Sequence, residues 1–73
     1  MKYYEKLRAL REDNDLTQTD IANILKMKQQ QYSNYERGVR MIPLDYLSSL
    51  CKFYGVSADY ILGLPKNLIY PER

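Results

Sequence analysis

Histidine and tryptophan are absent from the 73 residues, cysteine occurs once, and no apolar run approaches the length of a membrane span. With Cys51 alone and no histidine, neither an internal disulfide nor a zinc site of His and Cys ligands can form. A span needs roughly 20 apolar residues, and nothing resembles a signal peptide, so a cytoplasmic protein without membrane partner is expected. There is no Gly-rich phosphate loop, and no Ser or Cys has a plausible base beside it. Catalysis is therefore not expected, nor any cofactor, metal or small-molecule ligand. The length itself allows one small domain with a barely adequate core.

The aromatic content is eight tyrosines against one phenylalanine. Tyrosines can form a stacking platform for single strands. Here, however, Tyr32, Tyr35, Tyr54 and Tyr60 fall on apolar stripes, which assigns them to core packing with hydroxyls reaching the surface. Cys51 shares helical spacing with Leu47, Leu50 and Tyr54 and reads as a core thiol without chemistry.

A net charge of +2 is too small for general attraction to nucleic acid, but its distribution is uneven. Residues 26 to 40 carry Lys26, Lys28, Arg37 and Arg40 against Glu36 alone, whereas the flanking segments are near neutral. The positive excess thus gathers on one central stretch, where a phosphate-facing surface would need it.

That stretch, QTDIANILKMKQQQYSNYER from Gln18 to Arg37, organises the chain. Ile21, Ala22 and Leu25 form one apolar stripe at helical intervals, and Tyr32 and Tyr35 repeat the interval further on. Only Lys26 to Lys28 remain for the connection, so two short helices must cross steeply, with the small Ala22 permitting close approach. On the second helix the tyrosines define the inward face. Gln29, Gln30, Ser33, Asn34 and Arg37 then point outward, with Gln31 nearer the inward side. Amides can pair in bidentate fashion with the N6 and N7 edge of adenine, and Arg37 can neutralise a phosphate. The plain alternative is a solvated helix surface, since Gln and Asn are common on exposed faces.

Around this pair the spacing predicts three further helices. The first runs from about Lys2 to Asp13, burying Tyr3, Leu7 and Leu10, and Asp13 to Asp15 break it. Thr17 with Asp20 forms a variant capping box at the start of the second. Gly38 suits a left-handed cap after the third, Met41 and Ile42 are placed beneath the following loop, and Pro43 sits near the first position of the fourth. That helix, to Tyr54, is expected to bury Leu44, Leu47, Leu50, Cys51 and Tyr54. Gly55 ends it, and Ser57 caps a fifth, Ala58 to Leu62. Val56, Tyr60 and Ile61 complete the expected core of an all-α, five-helix domain over residues 1 to 64.

In this order and at these intervals, LRALREDNDLTQTDIANIL, YSNYERG and IPLDYLSSLCKFYGVSADYILGL resemble the small helix-turn-helix domains of phage repressors and Cro proteins and the bacterial regulators grouped with them. The resemblance covers Tyr4 to Leu64. It implies a transcriptional regulator, in the first instance a repressor, that binds a palindromic operator in double-stranded DNA as a homodimer through the major groove. With the outward face read above, base contacts are expected from Gln29, Gln30, Ser33 and Asn34 and phosphate contacts from Lys28 and Arg37, and the resemblance implies further phosphate contacts from Gln18 and Arg40. It also implies a partly buried structural ion pair between Arg11 and Glu36. The same fold serves antitoxins and accessory factors, so a protein-interaction module is the competing class.

Two positions depart from the family pattern. Lys26 stands where a glycine is usual and the backbone tends to be left-handed, at a cost on the order of 1 kcal/mol. Lys28 stands where Ser or Thr often caps the recognition helix, and a lysine there is repelled by the helix dipole. Both lysines are expected to exchange domain stability for phosphate contacts. The tail, residues 65 to 73, has two prolines and no helical period and reads as extended or disordered, yet it carries Leu68, Ile69 and Tyr70 together, for which docking on the domain or a dimer contact is expected.

Overall fold

The computed structural model describes residues 1–65, 68 and 69. Five helices follow one another: α1 Tyr3–Asp13, α2 Gln18–Leu25, α3 Gln29–Glu36, α4 Leu44–Tyr54 and α5 Ala58–Leu62, with no strand among the described residues. Leu7, Ile21, Ala22, Leu25, Tyr32, Tyr35, Ile42, Leu47, Leu50 and Ile61 make the core. α2 packs on α3, α1 reaches both α3 and α5, and α4 rests on α5.

Two of the helices start on a side-chain cap, and all five stop at a left-handed residue. The Thr17 hydroxyl accepts from the Asp20 N–H at 3.1 Å while the Asp20 carboxylate accepts from the Thr17 N–H at 2.8 Å, closing the box at the head of α2. Ser57 caps α5 from one side only, accepting from the Tyr60 N–H at 3.1 Å. All five helices end on a left-handed residue: Asp15, Lys26, Gly38, Gly55 and Gly63. After each, the next N–H returns to a carbonyl five positions back, as Met27 does to Ala22 at 2.9 Å and Val39 to Asn34 at 2.9 Å. Three of these positions are glycine; Asp15 and Lys26 hold φ values of 56° and 60° with a Cβ in place, which is strained backbone.

Several core expectations need correcting. Leu44 is 79% exposed, because it is the first residue of α4 and no element lies over it; Ile42, at 6%, supplies the apolar contact ahead of that helix instead. Met41 is likewise open to solvent. Tyr60 is half exposed because α5 turns Ile61 inward, and the Lys6 ammonium sits 4.4 Å from its ring centre. Pro43 occupies the N-cap rather than the first helical position. Cys51 is half-buried, and burial pushes its thiol pKa up. In the tail, Leu68 is half exposed and Ile69 almost fully so; Tyr70 lies outside the described residues, so the expected docking of that trio extends beyond them.

Candidate nucleic-acid interface

The turn between α2 and α3 is three residues long. Lys26 takes φ 60° and ψ 47°, and its N–H returns to Asn23 at 3.2 Å. Ala22 is 1% exposed, leaving the two helices free to approach closely. Lys28 then stands at the N-cap of α3 with extended backbone and no side-chain capping bond. Both lysines are exposed, at the end of α3 that carries the positive pole of the helix dipole.

On α3, Tyr32 and Tyr35 are buried, and the opposite side carries exposed Gln29, Gln30 and Arg37 with half-exposed Ser33 and Asn34. Gln31 is exposed, and its amide donates to the Tyr35 hydroxyl at 3.1 Å, so it belongs with the packing of that ring. The face is not a set of independent side chains. Gln30 Nε2 donates to Asn34 Oδ1 at 3.3 Å, and Arg37 Nη2 donates to the same oxygen at 2.8 Å. Gln29 Nε2 donates to Gln18 Oε1 at 2.6 Å, bridging α3 to α2.

Gln18 in turn joins the face to the interior. Its amide donates to Glu36 Oε1 at 3.3 Å. Arg11 meets the same carboxylate in fork geometry, with Nε to Oε2 at 2.9 Å and Nη2 to Oε1 at 2.8 Å, while Nη1 donates to the Leu16 carbonyl at 2.8 Å. The Arg11 and Glu36 side chains are 13% and 2% exposed. Burial pulls the Glu36 carboxyl upward, but the Arg11, Tyr32 and Gln18 side chains outweigh it, so its pKa falls below the ordinary value. The hydrogen bond to Glu36 raises Arg11 correspondingly. The Tyr32 hydroxyl is buried without a partner in hydrogen-bonding geometry; burial first, and then the neighbouring Glu36 charge, push its pKa up. Tyr54, whose hydroxyl is also buried and unpaired, is pushed up to about 12 by burial and then by Glu36.

Beyond α3, the Asn34 carbonyl accepts from both Val39 and Arg40 N–H groups, at 2.9 and 3.2 Å, and so fixes the loop that carries exposed Arg40. From the other side α1 holds this loop, by contacts that no local pattern of residues signals. A Cβ on Gly38 would lie 2.6 Å from the Tyr4 ring, and the Tyr3 hydroxyl accepts from the Ile42 N–H at 3.3 Å. Only the three-dimensional meeting of α1 with residues 38–42 reveals this clamp, since 39 positions separate Tyr3 from Ile42.

All four expected base-facing residues therefore share one side of α3, with Lys28 at its head and Arg37 and Arg40 at its foot. Gln18 differs from the others in being half-buried and already bonded to two protein groups. Among the described residues no group of three or more His, Cys, Asp or Glu side chains is arranged to hold a metal ion, and no helix is long and apolar enough to cross a membrane.

A helix-turn-helix family model matches residues 7–61. The HTH-type transcriptional regulator YobD of Bacillus subtilis (strain 168) is 40% identical over 62 residues, which cover 85% of this chain and 55% of YobD. The cryptic phage CTXphi transcriptional repressor RstR of Vibrio cholerae is 37% identical over 54 residues, covering 74% of this chain and 49% of RstR. Antitoxin PezA of Streptococcus pneumoniae serotype 4 is 30% identical over 64 residues, covering 88% of this chain and 40% of PezA. The chain thus spans about half the length of the curated relatives it matches.

Proposed function

The chain belongs to the helix-turn-helix family, and from that membership we propose that it reads a specific duplex DNA operator in the cytoplasm and represses transcription by obstructing polymerase. The observation that carries the proposal is the outer face of α3. It holds Gln29, Gln30, Ser33 and Asn34 with no aliphatic side chain among them, bounded by the cations Lys28, Arg37 and Arg40. Amides on a helix of this kind meet base edges in the major groove, while the flanking cations meet phosphates. Gln18 keeps one amide hydrogen beyond its bond to Glu36, enough for one phosphate oxygen.

One recognition helix covers only a few base pairs, so the functional unit is a twofold dimer on a palindrome with half-sites about one helical turn apart. Leu62 and Leu64, each nearly half exposed at the α5 end, supply an apolar surface for that contact. Selection of bound fragments from a random duplex library at near-physiological salt tests the reading. Enrichment of a palindrome is expected; binding without any motif that vanishes steeply as salt rises would leave only nonspecific electrostatics and refute it.

The similarity to an antitoxin supports a second reading, in which the domain neutralises a protein partner. That surface would use the tail, where Ile69 is 95% exposed. Deleting residues 65 to 73 would then abolish partner binding and spare DNA binding, whereas loss of both together would count against it.

A further inference from the structure

We infer that Asn34 reads guanine rather than adenine, because Arg37 has already taken its carbonyl. The inference rests on the DNA-reading function proposed above and concerns which base that face selects. Asn34 Oδ1 accepts from Arg37 Nη2 at 2.8 Å and from Gln30 Nε2 at 3.3 Å. A carbonyl oxygen has two lone pairs, so both are engaged. The orientation of the amide is not interchangeable here, because a guanidinium has only donors and the oxygen must face it.

Asn34 therefore offers a base only the hydrogens of Nδ2. Adenine in the major groove presents N7 as an acceptor and N6 as a donor, and its bidentate recognition by an amide requires a free carbonyl. Cytosine presents a donor and meets a donor. Guanine presents N7 and O6, both acceptors, and matches a donor-only group. Thymine offers a single acceptor, O4, and makes the poorer match. Gln29 and Gln30 differ from Asn34: each spends one amide hydrogen on a protein acceptor and keeps its carbonyl and a second hydrogen. They retain what adenine needs, so the two ends of α3 differ in their chemistry toward bases. Arg37 keeps four further N–H groups for phosphate while it orients Asn34.

The test repeats the fragment selection with the full chain and with Asn34→Ala and Arg37→Met, each checked for folding by its thermal transition. The position read by Asn34 is the one where Asn34→Ala loses discrimination, by roughly 5- to 150-fold. Guanine is expected there in the unmodified protein, and 7-deazaguanine at that position should weaken binding of the unmodified protein but not of Asn34→Ala. Arg37→Met should lower affinity for all sequences and also move the preference at that position from guanine toward adenine, because one lone pair of the Asn34 carbonyl is released while Gln30 keeps the other. Adenine at that position in the unmodified protein, guanine retained in Arg37→Met, or an Asn34→Ala profile unchanged at every position would each overturn the inference while leaving sequence-specific binding standing. Failure to enrich any motif would instead overturn the DNA-reading function, and the inference with it.

Discussion

Replacing Glu36 with alanine is the sharpest test of what holds the domain together. The carboxylate is 2% exposed and accepts two bonds from Arg11 at 2.8 and 2.9 Å. Its removal leaves the guanidinium with only the Leu16 carbonyl, in a site 13% exposed. Removing one partner of a buried pair costs about 3 to 5 kcal/mol. Because Leu16 and a little solvent still reach Arg11, the lower end applies. In a domain of this size about 3 kcal/mol lowers Tm by roughly 12 to 24 °C. Thermal melting followed by circular dichroism at pH 7 measures it, with Arg11→Met/Glu36→Leu as the companion variant. An apolar pair of similar volume should recover most of the loss, since no charge is then stranded. A fall in Tm below about 4 °C for Glu36→Ala would refute the reasoning. So would equal losses in the two variants, which would assign the effect to packing and not to charge. The same pair sets an acid limit. The folded-state pKa of Glu36 is lowered, so its contribution is complete above the unfolded value, about 4.3, and is lost as pH falls through the folded one. Stability of the unmodified protein should therefore drop more steeply below that pH than that of Arg11→Met/Glu36→Leu.

Lys28→Ser should raise stability by about 1 kcal/mol through a new N-cap, and weaken DNA binding; simultaneous improvement of both in melting and binding assays would contradict the phosphate role of Lys28. Gly38→Ala should destabilise the domain by more than the ~1 kcal/mol of left-handed backbone alone, because the added methyl meets the Tyr4 ring 2.6 Å away; an unchanged Tm would show that Tyr4 moves aside freely. Arg40→Ala should weaken binding to all sequences alike and reduce the salt slope by about 1, and a change in base preference would argue against a phosphate contact. On the alkaline side, Tyr54 is pushed up to about 12. Burial of the neutral phenol thus stabilises the fold fully below the unfolded value, about 10, and the contribution disappears as pH rises through 12. Ultraviolet titration should show late-ionising tyrosine coinciding with unfolding, and Tyr54→Phe should shift that transition upward.

What was legible in the sequence was local. The Thr17 box, the Ser57 cap and the left-handed turns at Lys26 and Gly38 each depend on residues within about five positions, so residue types at fixed spacing suffice to place them. Tyr60, Leu44 and Met41 stand outside the core despite their spacing, because helical spacing tells which residues share a face but not where the neighbouring helix ends. Arg11 and Glu36 lie 25 positions apart; charge and spacing alone could not pair them, and only the family resemblance suggested it. The bond from Gln29 to Gln18 and the clamp of Tyr3 and Tyr4 on residues 38–42 had no signal at all. Both follow from how the helices cross, which depends on the whole core.

These long-range contacts also tie the stability of this domain to its proposed recognition face. Gln29 is held by Gln18, Gln18 by Glu36, and Glu36 by Arg11, so an unbroken series of hydrogen bonds runs from the outer face of α3 to the interior. Amides lose rotamer freedom when a partner fixes them, and side chains ordered in the free protein need less ordering on a base edge. A loss at Arg11 or Glu36 should therefore reach the proposed base contact of Gln29 even in molecules that remain folded. Lys26 and Lys28 lie outside this series. Each is exposed and each holds a backbone position where a smaller or capping residue would stabilise the fold. The stabilising bonds are thus concentrated behind the face, while one of the two strained positions, Lys26, falls in the turn at its head, where two extra positive charges stand closest to the proposed path of the phosphates.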